Sequence, residues 1–266
     1  MAAPTPEPSD LGKLRRYQRF FIGLLALIVV ARILVYWITD PFVSIIARNF
    51  FNEARSIAAA IACYVAARLT RSTAPELSRA WYIMSLSFWG WIIGIMLHFI
   101  TELQGQSVVG TFVDLPYLAF YPIFLFGVLQ LPMRQRTPDA RIALAFDLAI
   151  VLVAAFLVVW VLAIRHQLTN APRFVEVISA IAYAFGDMLL IWGAFYILVG
   201  LSPVLRRGVR ITLALGAILL FVTDLVYGWQ VRQGHYDTTN LIGFGWTFGL
   251  ATFALAGALA WIPKGS

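Results

Sequence analysis

Eight long apolar stretches constrain what this 266-residue chain can fold into more than any other feature. A helix needs roughly 20 mostly apolar residues to cross the hydrocarbon core of a bilayer. The runs are too long and too continuous for the alternating pattern of a membrane β-barrel. The pattern therefore predicts an all-α, polytopic membrane helix bundle with about eight transmembrane helices. The predicted spans are 18–38, 51–69, 80–101, 112–131, 142–164, 175–199, 209–230 and 241–262.

The composition supports a lipid environment. The chain is 61% hydrophobic and only 12% charged, whereas a soluble domain of this size carries about 25% charged residues. So few polar groups could not cover the surface of a folded chain in water, so the lipid bilayer is the first expected partner. The single cysteine, Cys63, excludes an intramolecular disulfide and any CxxC metal motif.

The positive charges follow a membrane topology. The net charge is +7, but the basic residues cluster at the ends of the predicted spans, so we expect no nucleic-acid partner. Fourteen of them lie on the side of the two termini and five on the other side, while Arg32 falls within the first span. The positive-inside rule then places both termini in the cytoplasm. The five outer residues are Arg48, Arg55, Arg165, Arg173 and Arg232.

The predicted spans form two halves of one integral membrane domain. Residues 1–12 are rich in proline and small residues and predict a disordered cytoplasmic tail. Residues 13–131 and 132–266 then carry four spans each. An offset of 129 residues moves Tyr117 onto Trp246 and repeats a Gln-Gly pair. Because each half has an even number of spans, this 4+4 repeat would be parallel. Residues 40–51 predict a short interfacial helix between the first two spans.

Three charged residues are predicted to lie inside the membrane. Asp187 falls near the middle of its span, where a carboxylate is costly unless it faces other helices or a wet cavity. The adjacent Gly186 would let a helix or a ligand approach closely. Arg32 and Asp224 both lie roughly 22 Å above the inner ends of their helices, at about 1.5 Å per residue. This predicts an ion pair or a shared polar network, which would either fix helix register or line a site.

Aromatic residues accompany these acids. Tyr183 and Trp192 share a span with Asp187, and Tyr227 follows Asp224 by three residues. With the acids they would line an amphipathic pocket between helices. Ordinary aromatic packing explains the same pattern.

The three histidines suggest a metal or haem site as an alternative to the amphipathic pocket. His98, His166 and His235 all fall toward the outer face, where imidazoles could bind a metal or haem. Their spacing matches no metal-binding template, so solvated or helix-capping histidines are favoured and no metal site is assigned. The chain also lacks a phosphate-binding loop, a GxSxG elbow and a metal-protease helix. We therefore expect no enzymatic activity.

Several strings combine polar and aromatic residues within apolar runs, among them FVDLPYLAFYPIFLFGVLQLP, AYAFGDMLLIWGAFYIL and FVTDLVYGWQ. Together they resemble the multi-span N-terminal sensor region of bacterial GGDEF, EAL or histidine-kinase signalling proteins. The matching residues are Asp114 with Tyr117, Tyr121-Pro122, Asp147, Gly186-Asp187, and Asp224 with Tyr227. The resemblance implies a bundle in the bacterial inner membrane that senses a signal and passes it to a cytoplasmic output domain. The sequence ends at WIPKGS without such a domain, so we expect a shortened chain or a separate output partner.

The sequence thus favours an integral membrane sensor or ligand-binding module. A small apolar or amphipathic ligand would bind among the third to eighth helices, with Asp187, Asp224 and Tyr227 in its wall, and would shift the eighth helix. One alternative is a structural or accessory subunit of a larger membrane complex, associated with pigment or haem. Another is a small transporter that uses Asp187 as an ion site.

Overall fold

The computed structural model describes residues 8–105, 113–132, 137–161, 174–200, 205–233 and 241–262. This part of the chain is all-helical, with no strand, so the predicted all-α fold is confirmed. A 3-10 turn at Val35–Trp37 and a π-helical turn at Tyr196–Gly200 add to the helices. The α-helices are α1 Pro8–Leu34, α2 Pro41–Thr70, α3 Pro75–Leu103, α4 Asp114–Leu129, α5 Pro138–Val159, α6 Phe174–Phe195, α7 Arg207–Arg232 and α8 Gly243–Leu259.

Each predicted span overlaps one of these helices, but not all of them are equally suited to a bilayer. Within the described ranges, four helical segments are long and apolar enough to cross a membrane. Three further apolar helices are shorter. The four long segments are Leu11–Trp37, Pro75–Leu103, Ile181–Gly200 and Arg207–Gln230. The three shorter ones are Asp114–Leu129, Phe146–Val159 and Gly243–Leu259.

Helix α2 differs from the prediction at its start. Residues 40–51 do not form a separate interfacial helix, because α2 runs without a break through 30 residues. Asp40 caps it by accepting a hydrogen bond from the Val43 amide at 2.8 Å, and Pro41 occupies the first turn. No proline or glycine follows before Thr70, so nothing in the sequence ends the helix earlier.

The predicted disordered tail overlaps the first helix. Helix α1 includes residues 8–12, so these residues are helical rather than disordered. The run from Lys13 to Leu34 contains no proline, and Gly23 is its one glycine. A helix over this run therefore extends backward by about one turn into the predicted tail.

Six of the helices close into a ring. Helix α2 packs on α3, α3 on α4, α4 on α6, α6 on α7, α7 on α8, and α8 returns to α2. Helix α1 lies outside this ring against α2 and α8, and α5 lies outside it against α6. In each of the ranges 13–131 and 132–266, consecutive helices pack against one another.

Small residues let α2 and α8 pack closely. A Cβ on Gly257 would lie 2.8 Å from the Ala62 carbonyl carbon, so only glycine fits there. The same end of α8 is tied to its neighbours by side chains. Gln18 donates to the Ala258 carbonyl at 2.7 Å, and the Trp261 indole donates to the Ala62 carbonyl at 2.9 Å.

Aromatic rings fill the space where α3, α4 and α8 meet. Phe88, Phe120, Phe124 and Phe253 are fully buried, with ring centroids 4.7–6.4 Å apart. The outward-facing side chains are also largely apolar: Phe20 is 72% exposed and Phe146 66%. A surface of this kind is stable in contact with lipid rather than with water.

Candidate functional site

Asp224 is the centre of a polar network between helices. It lies on α7 and accepts two hydrogen bonds from aromatic side chains on other helices. The Tyr121 hydroxyl on α4 donates to Oδ2 at 2.9 Å, and the Trp246 indole nitrogen on α8 donates to Oδ1 at 2.6 Å. One carboxyl group therefore joins α4, α7 and α8.

Asp187 brings a second carboxyl group to the same place. It lies on α6, is only 5% exposed, and is within hydrogen-bonding reach of Asp224. Its Oδ1 is buried and has no hydrogen-bond partner among the described residues. Two carboxyl groups can share a hydrogen bond only if one of them carries a proton. The pair therefore needs either a proton or a donor from elsewhere. We call Asp187, Asp224, Tyr121 and Trp246 the acid cluster.

Gly186 allows the acid cluster to form. A Cβ at this position would lie 2.7–2.9 Å from three ring atoms of Tyr121, closer than packed carbon atoms can approach. The glycine thus lets the Tyr121 ring lie directly on α6, as the sequence predicted for a close neighbour. The ring then reaches Asp224 on the far side.

A second tyrosine extends this network toward the start of α4. The Tyr183 hydroxyl donates to Asp114 Oδ1 at 3.0 Å, and its ring meets that of Tyr121 edge-on at 6.3 Å. Tyr183, Asp224 and Trp246 are all half-buried, so the cluster keeps some surface open to a binding partner.

Two other predicted site residues differ in position. Tyr227 packs its ring against Trp246, with centroids 5.4 Å apart, and so belongs beside the acid cluster. Trp192 is half-buried and makes no hydrogen bond or ring contact with the described residues. It follows Asp187 by five residues, about 140° away around the helix, so the two side chains point in different directions.

The predicted ion pair between Arg32 and Asp224 is wrong. The Arg32 Nε donates to Asn52 Oδ1 at 3.0 Å, and its guanidinium lies over the Phe244 ring at 5.6 Å. Asp224 instead takes the hydrogen bonds of Tyr121 and Trp246. The prediction compared heights along the membrane normal, which do not determine the direction around the bundle. Helix α1, which carries Arg32, packs mainly on α2 and α8 rather than on α7.

The structure reveals a group of buried arginines that the sequence analysis missed. Arg32, Arg48 and Arg55 are 5%, 7% and 2% exposed, respectively. Arg48 forms an ion pair with Glu102 on α3, and the Asn49 amide donates to the same carboxylate at 3.0 Å. Arg55 donates to the Thr247 hydroxyl on α8. We call these three arginines the arginine cluster.

A sequence signal for the arginine cluster existed. Arg48, Asn52 and Arg55 are spaced by four and three residues, which places them on one face of a helix. The charge count instead assigned Arg48 and Arg55 to the outer membrane surface. Continuity of α2 through this region is what turns that polar face toward α1, α3 and α8.

The two clusters meet at the first turns of α8. Trp246 bonds Asp224 in the acid cluster, and the next residue, Thr247, accepts from Arg55 in the arginine cluster. Phe244, two residues before Trp246, lies under the guanidinium of Arg32. The start of α8 is therefore held between an acidic and a basic group.

Of the three histidines predicted near the outer face, the structure describes His98. His98 is half-buried on α3, within electrostatic range of Glu102, Arg48 and Asp114. His166 and His235 lie outside the described residues. Among the residues that the structure covers, no group of three histidine, cysteine or acidic side chains could hold a metal ion.

Fold and site together define an all-helical bundle with membrane-length apolar helices, a cluster built on two carboxyl groups and a cluster of three buried arginines. Comparisons with protein-family models, with curated proteins and with solved structures find no match to this chain. The case for a function therefore depends on the geometry of the two clusters.

Proposed function

We propose that the chain is an integral membrane sensor that binds a small amphipathic ligand at the acid cluster and reports binding through α8. In this proposal the eight helices span the bacterial inner membrane, both termini face the cytoplasm, and the halves form a 4+4 repeat. The apolar outer surface and the packing of consecutive helices in each half support this arrangement.

The observation that carries the proposal is the hydrogen bond from Trp246 to Asp224. It links the buried carboxyl pair directly to the helix that precedes the C-terminus. A ligand that donates a hydrogen bond or brings a positive charge would compete with Trp246 for Asp224. Binding then changes the position of α8 to the extent that the ligand prefers the released state.

The surroundings of the acid cluster indicate the kind of ligand. The carboxyl oxygens accept hydrogen bonds, so the ligand must present a donor. The rings of Tyr121, Tyr183, Tyr227 and Trp246 form the adjoining wall, so the rest of the ligand is apolar or aromatic. An amphipathic molecule that enters from the lipid meets both requirements.

The other end of α8 supplies a route to the cytoplasmic side. Its last turn is tied to α1 and α2 through Gln18 and Trp261. A shift of α8 therefore changes contacts at the end from which an output partner would be reached. The partner is a cytoplasmic domain or a separate membrane protein.

Native mass spectrometry of the full chain purified in mild detergent tests the ligand part of the proposal. The wild type and the Asp139→Asn control, which changes an exposed acid on α5, should retain the same small molecule. The Asp224→Asn variant should lose it. If Asp224→Asn keeps the molecule, or if the wild type carries none, the proposed site is wrong.

Distance measurements test the reporting part. Spin labels on Tyr17→Cys and Ala260→Cys, in a Cys63→Ser background, would follow the end of α8 relative to α1. The distance distribution should differ between protein that retains the molecule and protein from which it has been extracted. An unchanged distribution would contradict transmission through α8.

A further inference from the structure

We propose that Arg32 and Arg55 form a binding site for an oxyanion, a carboxylate or a phosphate, between α1, α2 and α8. This site is separate from the acid cluster and does not depend on the sensor proposal. Its basis is an excess of buried positive charge together with hydrogen-bond donors for which the described residues supply no acceptor.

The charges in this region do not balance. Among the described residues, the three buried arginines interact with two acids, Glu53 and Glu102. Glu102 is committed to Arg48 and Asn49. Arg32 has no carboxylate partner among the described residues, and it lies within electrostatic range of Arg48 and Arg55. Buried like charges repel one another unless an anion joins them.

The hydrogen-bond donors are also in excess. A guanidinium has five N–H groups. Among the described residues, Arg55 uses one nitrogen for Thr247, and its buried Nε has no acceptor. Arg32 uses its Nε for Asn52 while Phe244 covers one face. The planar fork of an arginine matches the oxygens of a carboxylate or phosphate.

A purely structural role would leave a different pattern. If Glu53 were present to neutralise Arg55, their side chains would form an ion pair. They interact only at longer range, and Glu53 Oε2 is itself buried without a partner in the described part of the chain. The protein thus holds Arg55 next to an acid without closing the contact, which leaves the guanidinium edge for another anion.

The location suggests two sources for the oxyanion. The cluster lies where α1 ends and α8 begins, beside the exposed Tyr36 and Trp37. In the proposed topology this is the outer part of the bilayer. An anionic lipid headgroup could enter sideways, or a free anion could enter from the aqueous phase.

The test uses the full chain in nanodiscs and measures the thermal unfolding midpoint. In the first arm, inorganic phosphate is added to phosphatidylcholine discs. The control is sodium chloride added to the same discs at the same ionic strength. In a second arm, phosphatidylglycerol replaces part of the phosphatidylcholine. A rise with phosphate identifies a free oxyanion, and a rise only with phosphatidylglycerol identifies a lipid headgroup. If neither arm differs from its control, the site does not exist.

Variants locate the effect. We expect Arg55→Gln and Arg32→Gln each to weaken the anion response about tenfold or more, in line with loss of a charge-assisted bidentate contact. Arg71→Gln changes an exposed arginine near the end of α2 and should respond as wild type does. Full anion responses in Arg32→Gln and Arg55→Gln would overturn the assignment.

A third variant keeps the test decisive if the arginine variants do not fold. Glu53→Gln retains all three arginines and removes a nearby negative charge. It should strengthen the response to phosphate or phosphatidylglycerol by about threefold or more, because a repelling charge is lost. An anion response equal to or weaker than that of the wild type would contradict the proposal.

Discussion

At the scale of single residues, the two buried acids have unequal roles. Asp224 accepts hydrogen bonds from Tyr121 and Trp246 and so needs both of its oxygens. Asp187 has one buried oxygen that accepts no hydrogen bond from the described residues. The same chemical change should therefore have different consequences at the two positions.

We expect Asp224→Asn to lower the free energy of unfolding by about 1–3 kcal/mol, because the amide leaves one buried donor unpaired. Asp187→Asn should cost less than about 1 kcal/mol, since its amide can itself donate the hydrogen bond to Asp224 that the carboxyl pair needs. Unfolding in mixed detergent micelles measures both. Equal losses would show that Asp187 accepts contacts as essential as those of Asp224.

Gly186 offers a second residue-scale prediction. Gly186→Ala should destabilise the protein by about 1–3 kcal/mol, because the added methyl group would overlap the Tyr121 ring. The control is Gly23→Ala on α1, where nothing lies within 4 Å of the new Cβ. That change should be neutral or slightly stabilising. Similar unfolding free energies for the two variants would mean that Tyr121 moves aside freely.

At the scale of elements, α2 determines how the bundle is arranged. It contacts α1, α3 and α8, and it carries two arginines of the arginine cluster on one face. Its unbroken start at Asp40 and Pro41 orients that face. The helix cap is therefore a small feature with consequences for the whole polar region.

We expect Asp40→Ala to lower the free energy of unfolding by about 0.5–2 kcal/mol through loss of the cap to the Val43 amide. Asp40→Asn should retain most of the stability, because asparagine caps helices about as well as aspartate. Helix content by circular dichroism and unfolding free energies check both. A loss in Asp40→Asn as large as in Asp40→Ala would assign the effect to charge instead of capping.

The sequence predicted the elements better than their lateral arrangement. Each of the eight long apolar runs overlaps a described helix, because a helix satisfies the backbone hydrogen bonds of such a run within the run itself. Depth estimates could place Arg32 and Asp224 at one height but could not show that α1 and α7 are not mutual neighbours in the bundle. Asp187 and Asp224 were predicted as site residues because a carboxylate is costly in lipid. The hydrogen bonds of Tyr121 and Trp246 to Asp224 could not be predicted, because they depend on the order of the helices around the ring.

At the scale of the whole molecule, the proposed topology predicts which ends of the bundle face each aqueous phase. Cys63 is buried, so an introduced exposed cysteine can be labelled with little background. Trp37→Cys should react with a membrane-impermeant maleimide added outside intact cells, and Gly12→Cys should react only after the cells are opened. The reverse pattern would place both termini outside and remove the cytoplasmic output from the proposal.

Trp246 and Thr247 are consecutive residues of α8. Trp246 is hydrogen-bonded to Asp224 in the acid cluster, and Thr247 to Arg55 in the arginine cluster. Any rotation or translation of α8 that lengthens one of these bonds also changes the other. If both sites bind ligands and α8 couples them, an anion at the arginines changes the affinity at the acids by the same factor as a ligand at the acids changes the affinity for the anion. The bundle would then respond to a combination of two chemically opposite molecules rather than to either one alone.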